Sequence, residues 1–266
     1  MRPFKIKGIS KAEIAAKAAR NESIRLNALP MPDGSSVDVQ LQPFAQFGDS
    51  FQFNFTTDQG RGRSIKRVFD LSKVTLLKGH VRGKPDSFVL LATSEDRTEG
   101  VLSYDGRSVA ITRESSAPDA GDIVRFHEHE RPRMLLTPGG CKMVADHADM
   151  PDESPEALGA LAGFADDCHV LRIGMHLDYE LYSDKLNSDG FATLLYVAKL
   201  IYGFDEVVRR DLGVAAELAS LDVWMEEDPW NKTDGSEQLD QFSNYCLDPD
   251  NGMVDVERDA MILLSG

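Results

Sequence analysis

The sequence predicts an α+β protein in two parts, a β-rich antiparallel meander followed by an α/β segment. Three observations predict it. Short runs of alternating polar and apolar residues fill the first half, an acidic stretch with two prolines interrupts them after residue 145, and strand-like runs then alternate with helix-like ones.

Taken in order, the chain opens with a short amphipathic start, Lys11 to Arg20. The runs SVDVQL (Ser36 to Leu41), DSFQFNF (Asp49 to Phe55), SFVLLAT (Ser87 to Thr93), EGVLSY (Glu99 to Tyr104), SVAITR (Ser108 to Arg113) and IVRFHEH (Ile123 to His129) each suit a strand with one buried face. Gly, Asp and Pro punctuate them closely, which predicts an antiparallel meander over residues 1–145. Residues 146–166 then replace the strand pattern with acidic and small residues, as an exposed connector does.

The segment 167–266 opens with VLRIGMHL, Val170 to Leu177, a central strand ending at Asp178. In the next stretch Leu194, Val197, Ala198, Ile201, Val208 and Leu212 recur at helical spacing, with Asp189 as N-cap and Gly213 as the stop. Val214 to Glu226 reads as a strand carrying Trp224, Ser236 to Cys246 as a short helix, and AMILLSG after Asp259 as a last strand. Asp178, Trp224 and the helix face are read as structural: a strand cap, a buried ring and core.

Composition excludes several partners. Forty-four acidic residues against 29 basic ones give a formal charge of −15, which repels nucleic acid and anionic membrane surfaces. The basic stretch Gly60 to Arg67 has no interleaved aromatic residues for base stacking and reads as a solvated loop. No run reaches the roughly 20 apolar residues of a membrane helix, and the N-terminal stretch has no apolar signal region. The triplets at Asn21, Asn54 and Asn231 match the glycosylation pattern, which matters only in a secretory path.

CHVLRIGMHLDYELYSDKLN, the long helix, LASLDVWMEEDPWN, LDQFSNY and VERDAMILLSG together resemble the opening half of the catalytic domain of reprolysin-like (adamalysin or ADAM-type) metzincin zinc peptidases. The stretch Leu76 to Arg113 resembles the core of a reprolysin propeptide, with a Gly-His-Val strand, a Pro-Asp-Ser turn and a Gly-led strand in that order. The resemblance implies a propeptide that packs on its own catalytic domain, a protein or peptide substrate, and secretion.

It also implies zinc held by HExxHxxGxxH, with the glutamate as general base. That motif is absent from the 266 residues, and the chain is expected to stop before it and to be inactive alone. HEHE, His127 to Glu130, puts two histidines on one strand face without a third convergent ligand. Cys141, in TPGGCKMVADH, is the candidate for an inhibitory thiol that takes the fourth zinc position, against a plain thiol in a Gly-rich loop. Cys168 and Cys246 are left open as a disulfide pair or as free thiols. Asp259 matches a position that contributes to a calcium site in some members. Arg172 stands where the partnering glutamate belongs, so that site is expected to be absent or weakened, with Asp259 a strand-leading turn residue. A different class of function, a non-catalytic secreted binding or inhibitory module on a degenerate protease fold, fits the same elements. A cytosolic hydrolase of another mechanism lacks a G-x-S-x-G setting at Ser103 or Ser265.

Overall fold

The structure, a computed structural model, describes residues 4–5, 11–58, 64–95, 97–113, 123–128, 169–230, 234–251 and 256–266. Cys141, Cys168, the connector at 146–166 and the Asn231 triplet lie outside the described residues. Its fold is a β-rich α+β fold with two sheets. By internal contacts the chain forms two compact units: one takes residues 1–45, 69–132 and 190–199, the other 46–68, 133–189 and 200–266.

The first unit is built on an eight-stranded sheet. Its strands are β1 (Phe4–Lys5), β2 (Ile24–Pro30), β3 (Ser36–Pro43), β6 (Thr75–Val81), β7 (Lys84–Thr93), β8 (Thr98–Tyr104), β9 (Arg107–Arg113) and β10 (Ile123–Glu128). The order β1-β10-β9-β8-β7-β6-β3-β2 is antiparallel throughout, so the sequence's meander holds from β6 to β10. The Asp105-Gly106 pair turns β8 into β9 with positive φ at both positions (48° and 75°), the geometry a two-residue hairpin needs. Strand β8 alternates buried and half-buried side chains along its length, as a sheet with one covered face requires. Helix α1 (Lys11–Ala19) covers part of that face through Ile14, which joins Ile24, Leu26, Val39, Leu41, Leu77, Leu102 and Ile111 in one core. Each of these large side chains contributes roughly 1.5 to 3 kcal/mol by leaving water.

The second unit is built on a five-stranded sheet of order β13-β11-β12-β4-β5. Strands β11 (Val170–Leu177), β12 (Ala215–Trp224) and β13 (Ala260–Leu264) fall where the sequence places them and pair in parallel. The strands β4 (Phe47–Asp58) and β5 (Ser64–Val68) complete the sheet: β4 runs parallel to β12, and β5 returns antiparallel to β4. This corrects the expectation that Asp49 to Phe55 belongs to the meander. The physical reason is burial on both faces. Phe53 and Phe55 are buried on one side of β4, and Asn54 and Thr56 on the other, as in an interior parallel strand rather than a half-solvated antiparallel one.

Helix α2 (Gly190–Leu212) buries Leu194, Val197, Ala198, Ile201 and Val208, as the helical spacing predicts. Leu212 departs from that expectation at 71% exposed, because it sits one residue before Gly213, whose φ of +72° ends the helix. Helix α3 (Gly235–Leu247) begins at Asp234, whose carboxylate accepts the N–H groups of Ser236 (2.9 Å) and Glu237 (3.3 Å). Asp178 caps β11 as expected: it accepts Leu181 N–H at 2.7 Å and Gly266 N–H at 3.1 Å, tying the ends of β11 and β13 together.

Candidate functional site

Three strands of the second unit each place one polar residue between apolar ones: GMHLD on β11, SLDVW on β12 and FNF on β4. Strand register brings the three polar residues side by side, with His176 opposite Asp222 and Asp222 opposite Asn54. Because side chains alternate along a strand, the same sheet face carries Trp224 on β12, Thr56 on β4 and Lys66 on β5, the last two directly paired.

The centre of this face is Asp222, with no exposed surface. Its Oδ1 accepts from Lys66 Nζ at 2.8 Å and from Asn54 Nδ2 at 3.3 Å. His176 Nε2 stands 3.9 Å from Asp222 Oδ2, beyond hydrogen-bond length. An unpaired buried carboxylate costs several kcal/mol, so the Lys66 ammonium and the Asn54 amide are what make Asp222 tolerable there. Both come from the β4–β5 hairpin.

This corrects the reading of Gly60 to Arg67 as a solvated loop. Residues 64–67 are strand, Lys66 turns inward to a buried acid, and Arg67 lies over the Phe55 ring at 5.3 Å. The Asn54 glycosylation triplet is likewise internal, with Asn54 only 5% exposed.

Aromatic rings close over His176: Trp230, Phe242 and Tyr245 lie 5.7, 5.3 and 5.9 Å from it, all edge-on. Burial pushes the His176 imidazolium's pKa down to about 4, against the pull of Asp222, so the ring is neutral at pH 7. Cys246, on α3, is a free, buried thiol beside this cluster, and its candidate partner Cys168 lies outside the described residues. Burial raises the Cys246 thiol to about 11, with Asp222 adding to the rise and Arg258 opposing it. A neutral, enclosed imidazole and a protonated thiol supply neither a general base open to substrate nor a nucleophile. The face therefore works as a polar lock within the sheet.

A second buried carboxylate repeats the pattern. Asp205 on α2, also without exposed surface, accepts from Arg209 Nε (2.8 Å), Ala216 N–H (2.8 Å) and Gln46 Nε2 (2.9 Å). Burial raises its pKa, but the hydrogen bonds from Arg209, Ala216 and Gln46 outweigh that and hold it low. Gln46 opens the same hairpin and also accepts Leu218 N–H through its carbonyl at 2.7 Å.

Asp259 occupies the start of β13. Its carboxylate accepts Arg172 N–H at 2.8 Å while its own N–H donates to Arg172 O at 2.8 Å. The Arg172 guanidinium pairs with Glu217 at 3.1 Å and with Glu257. Where a calcium site would need a further acid, the fold carries its own cation among three carboxylate-bearing residues. Among the described residues, no group of three His, Cys, Asp or Glu side chains is arranged to hold a metal. The His127 and Glu128 side chains, like Cys141, are outside what is described.

Sequence reading singled out none of Asn54, Lys66, His176 and Asp222 as a group. The available signal was the polar residue set between apolar ones in each of three strands, a pattern that matters only once the strands are known to be neighbours. No protein-family profile matches the chain, and no curated protein matches it either. Among the described residues, no helix is long and apolar enough to cross a membrane.

Proposed function

We propose that the chain is the propeptide and the first part of the catalytic domain of a secreted, reprolysin-like zinc endopeptidase, acting on protein or peptide substrates. The observation that carries this reading is the succession β11, α2, β12, α3, β13, each element close to where the resemblance to that domain implies it. The capping of β11 by Asp178 and the burial of Trp224 support it further.

Among the described residues, no set of side chains fits the zinc. HExxH occurs nowhere in the sequence, and no metal-holding group of His, Cys, Asp or Glu is present among the described residues. In this reading the metal belongs to polypeptide outside these 266 residues, and the chain by itself hydrolyses nothing. Calcium at Asp259 is not part of the proposal, since Arg172 already supplies the positive charge there.

One observation favours a second reading, a non-catalytic binding or inhibitory module. The β4–β5 hairpin is a strand pair of the second unit's own sheet, which suits a permanent assembly as well as a proenzyme. Zinc content and peptidase activity of the gene's whole product separate the two. Equimolar zinc and cleavage of a denatured protein substrate support the peptidase; a whole product without HExxHxxGxxH, without zinc and without cleavage overturns it.

A further inference from the structure

The exposed edge that β12 would otherwise present is covered by a segment from the other side of the connector. We infer that residues 46–68 are a permanent structural part of the second unit, so that cutting the chain within 146–166 leaves the two pieces associated through this hairpin. The inference does not rest on the peptidase reading and holds for a module of any activity.

Three observations carry it. The first is backbone pairing: β4 makes a parallel ladder with β12 from Ser220 to Trp224, and Met225 N–H extends it to Thr56 O at 3.0 Å. A parallel strand buried on both faces cannot leave without exposing backbone donors and apolar surface together. Phe53 and Phe55, 0% and 4% exposed, are part of that surface.

The second is the source of the counter-charge. Asp222 is fully buried, and the two groups that donate to it, Lys66 Nζ and Asn54 Nδ2, both belong to the hairpin. The third is Asp205, also fully buried, to which Gln46 donates at the base of the same hairpin. Two buried acids of the second unit thus depend on side chains from before the connector. A segment meant for release would not hold the cation that, among the described residues, pairs with a buried carboxylate, because its departure strands that charge in the core. The surface on β12 is therefore a docking edge for a strand pair whose outer strand brings an inward-facing lysine, and β4 with β5 is its occupant.

The test uses the full chain with a recognition site for a sequence-specific protease placed between Ser154 and Pro155. After complete cutting, gel filtration is expected to return both pieces in one peak at the mass of the intact chain, with β4 amides exchanging as slowly as those of β12. Lys66→Met should weaken the association of the cut pieces by about a hundredfold or more, and adding Asp222→Leu to it should restore most of the loss. Lys73→Met, at an exposed lysine outside the hairpin, should change nothing. Separation of the wild-type pieces on cutting, or an unchanged affinity in Lys66→Met, overturns the inference. Should Lys66→Met fail to fold, the wild-type peak and its amide exchange decide the matter alone.

Discussion

The Lys66 ammonium lies 2.8 Å from the carboxylate of Asp222, which has no exposed surface, and the two residues come from distant parts of the sequence. A surface pair of this kind contributes little. A pair with one fully buried member sets how the fold is put together, because the carboxylate of Asp222 has no water to turn to if the lysine leaves.

His176 makes stability depend on acid. Its imidazole titrates near 6.5 when the chain is unfolded and near 4 in the folded state, because burial disfavours the cation. The unfolded chain therefore binds the extra proton first, and the contribution of His176 to stability should fall as pH drops from 6.5 towards 4, by roughly 3 kcal/mol. Urea midpoints measured across this range check it. His176→Phe, which keeps a ring among Trp230, Phe242 and Tyr245, should flatten this part of the dependence.

Asp228 acts in the opposite sense. Burial raises its pKa from 3.8 to about 6, with the Glu180 and Asp178 charges adding to the rise, although Tyr179 and Trp230 N–H groups donate to it. The folded state holds this proton more tightly, so this contribution to stability is present at low pH and fades as pH rises through 6. Asp228→Asn removes this opposing contribution, so its stability should rise more steeply with pH between 4 and 7 than that of the wild type, followed by tryptophan fluorescence during urea unfolding.

Cys246 should be inert in the folded protein. With its thiol pushed up to about 11 and its side chain buried under the aromatic cluster, little thiolate is present at neutral pH and none of it is open to reagent. Peptide mass mapping after brief iodoacetamide treatment should find Cys246 unmodified in buffer and fully modified in denaturant.

Gly79 should not accept a side chain. A Cβ there would stand 1.9 Å from the carbonyl oxygen of Gln40 on the neighbouring strand β3, a backbone atom that cannot swing aside. Gly79→Ala should lose about 1 to 3 kcal/mol in chemical denaturation, whereas Gly235→Ala, with nothing near its Cβ position, should not show a clash penalty.

Much of the fold was legible where local pattern and partner agree. The strands around Ser36, Ser87, Glu99 and Ser108 alternate cleanly and pair with close neighbours, so period-two reading found them. Strand β2 escaped because its alternation breaks between Leu26 and Leu29, where Ala28 takes a φ of +53° and its N–H bonds to the Asp38 carboxylate. Strand β4 was recognised as a strand but assigned to the wrong neighbours, since FQFNF alternates equally well whether one face is wet or both are dry. The polar lock was not legible at all: its members come together only through β12, whose residue Asp222 lies 168 positions from Asn54. Asp178, Gly213 and Trp224 were readable because caps, stops and buried rings are decided by a few adjacent residues.

The most direct measurement is a double-mutant cycle on the uncut chain: urea unfolding of the wild type, Lys66→Met, Asp222→Leu and the pair. If Lys66 and Asp222 form the lock described, Lys66→Met alone costs about 3 to 5 kcal/mol and the double variant recovers most of it, leaving a large coupling. Two small, additive losses would contradict the account, because they would mean that the hairpin's lysine does not neutralise the acid at the heart of the sheet.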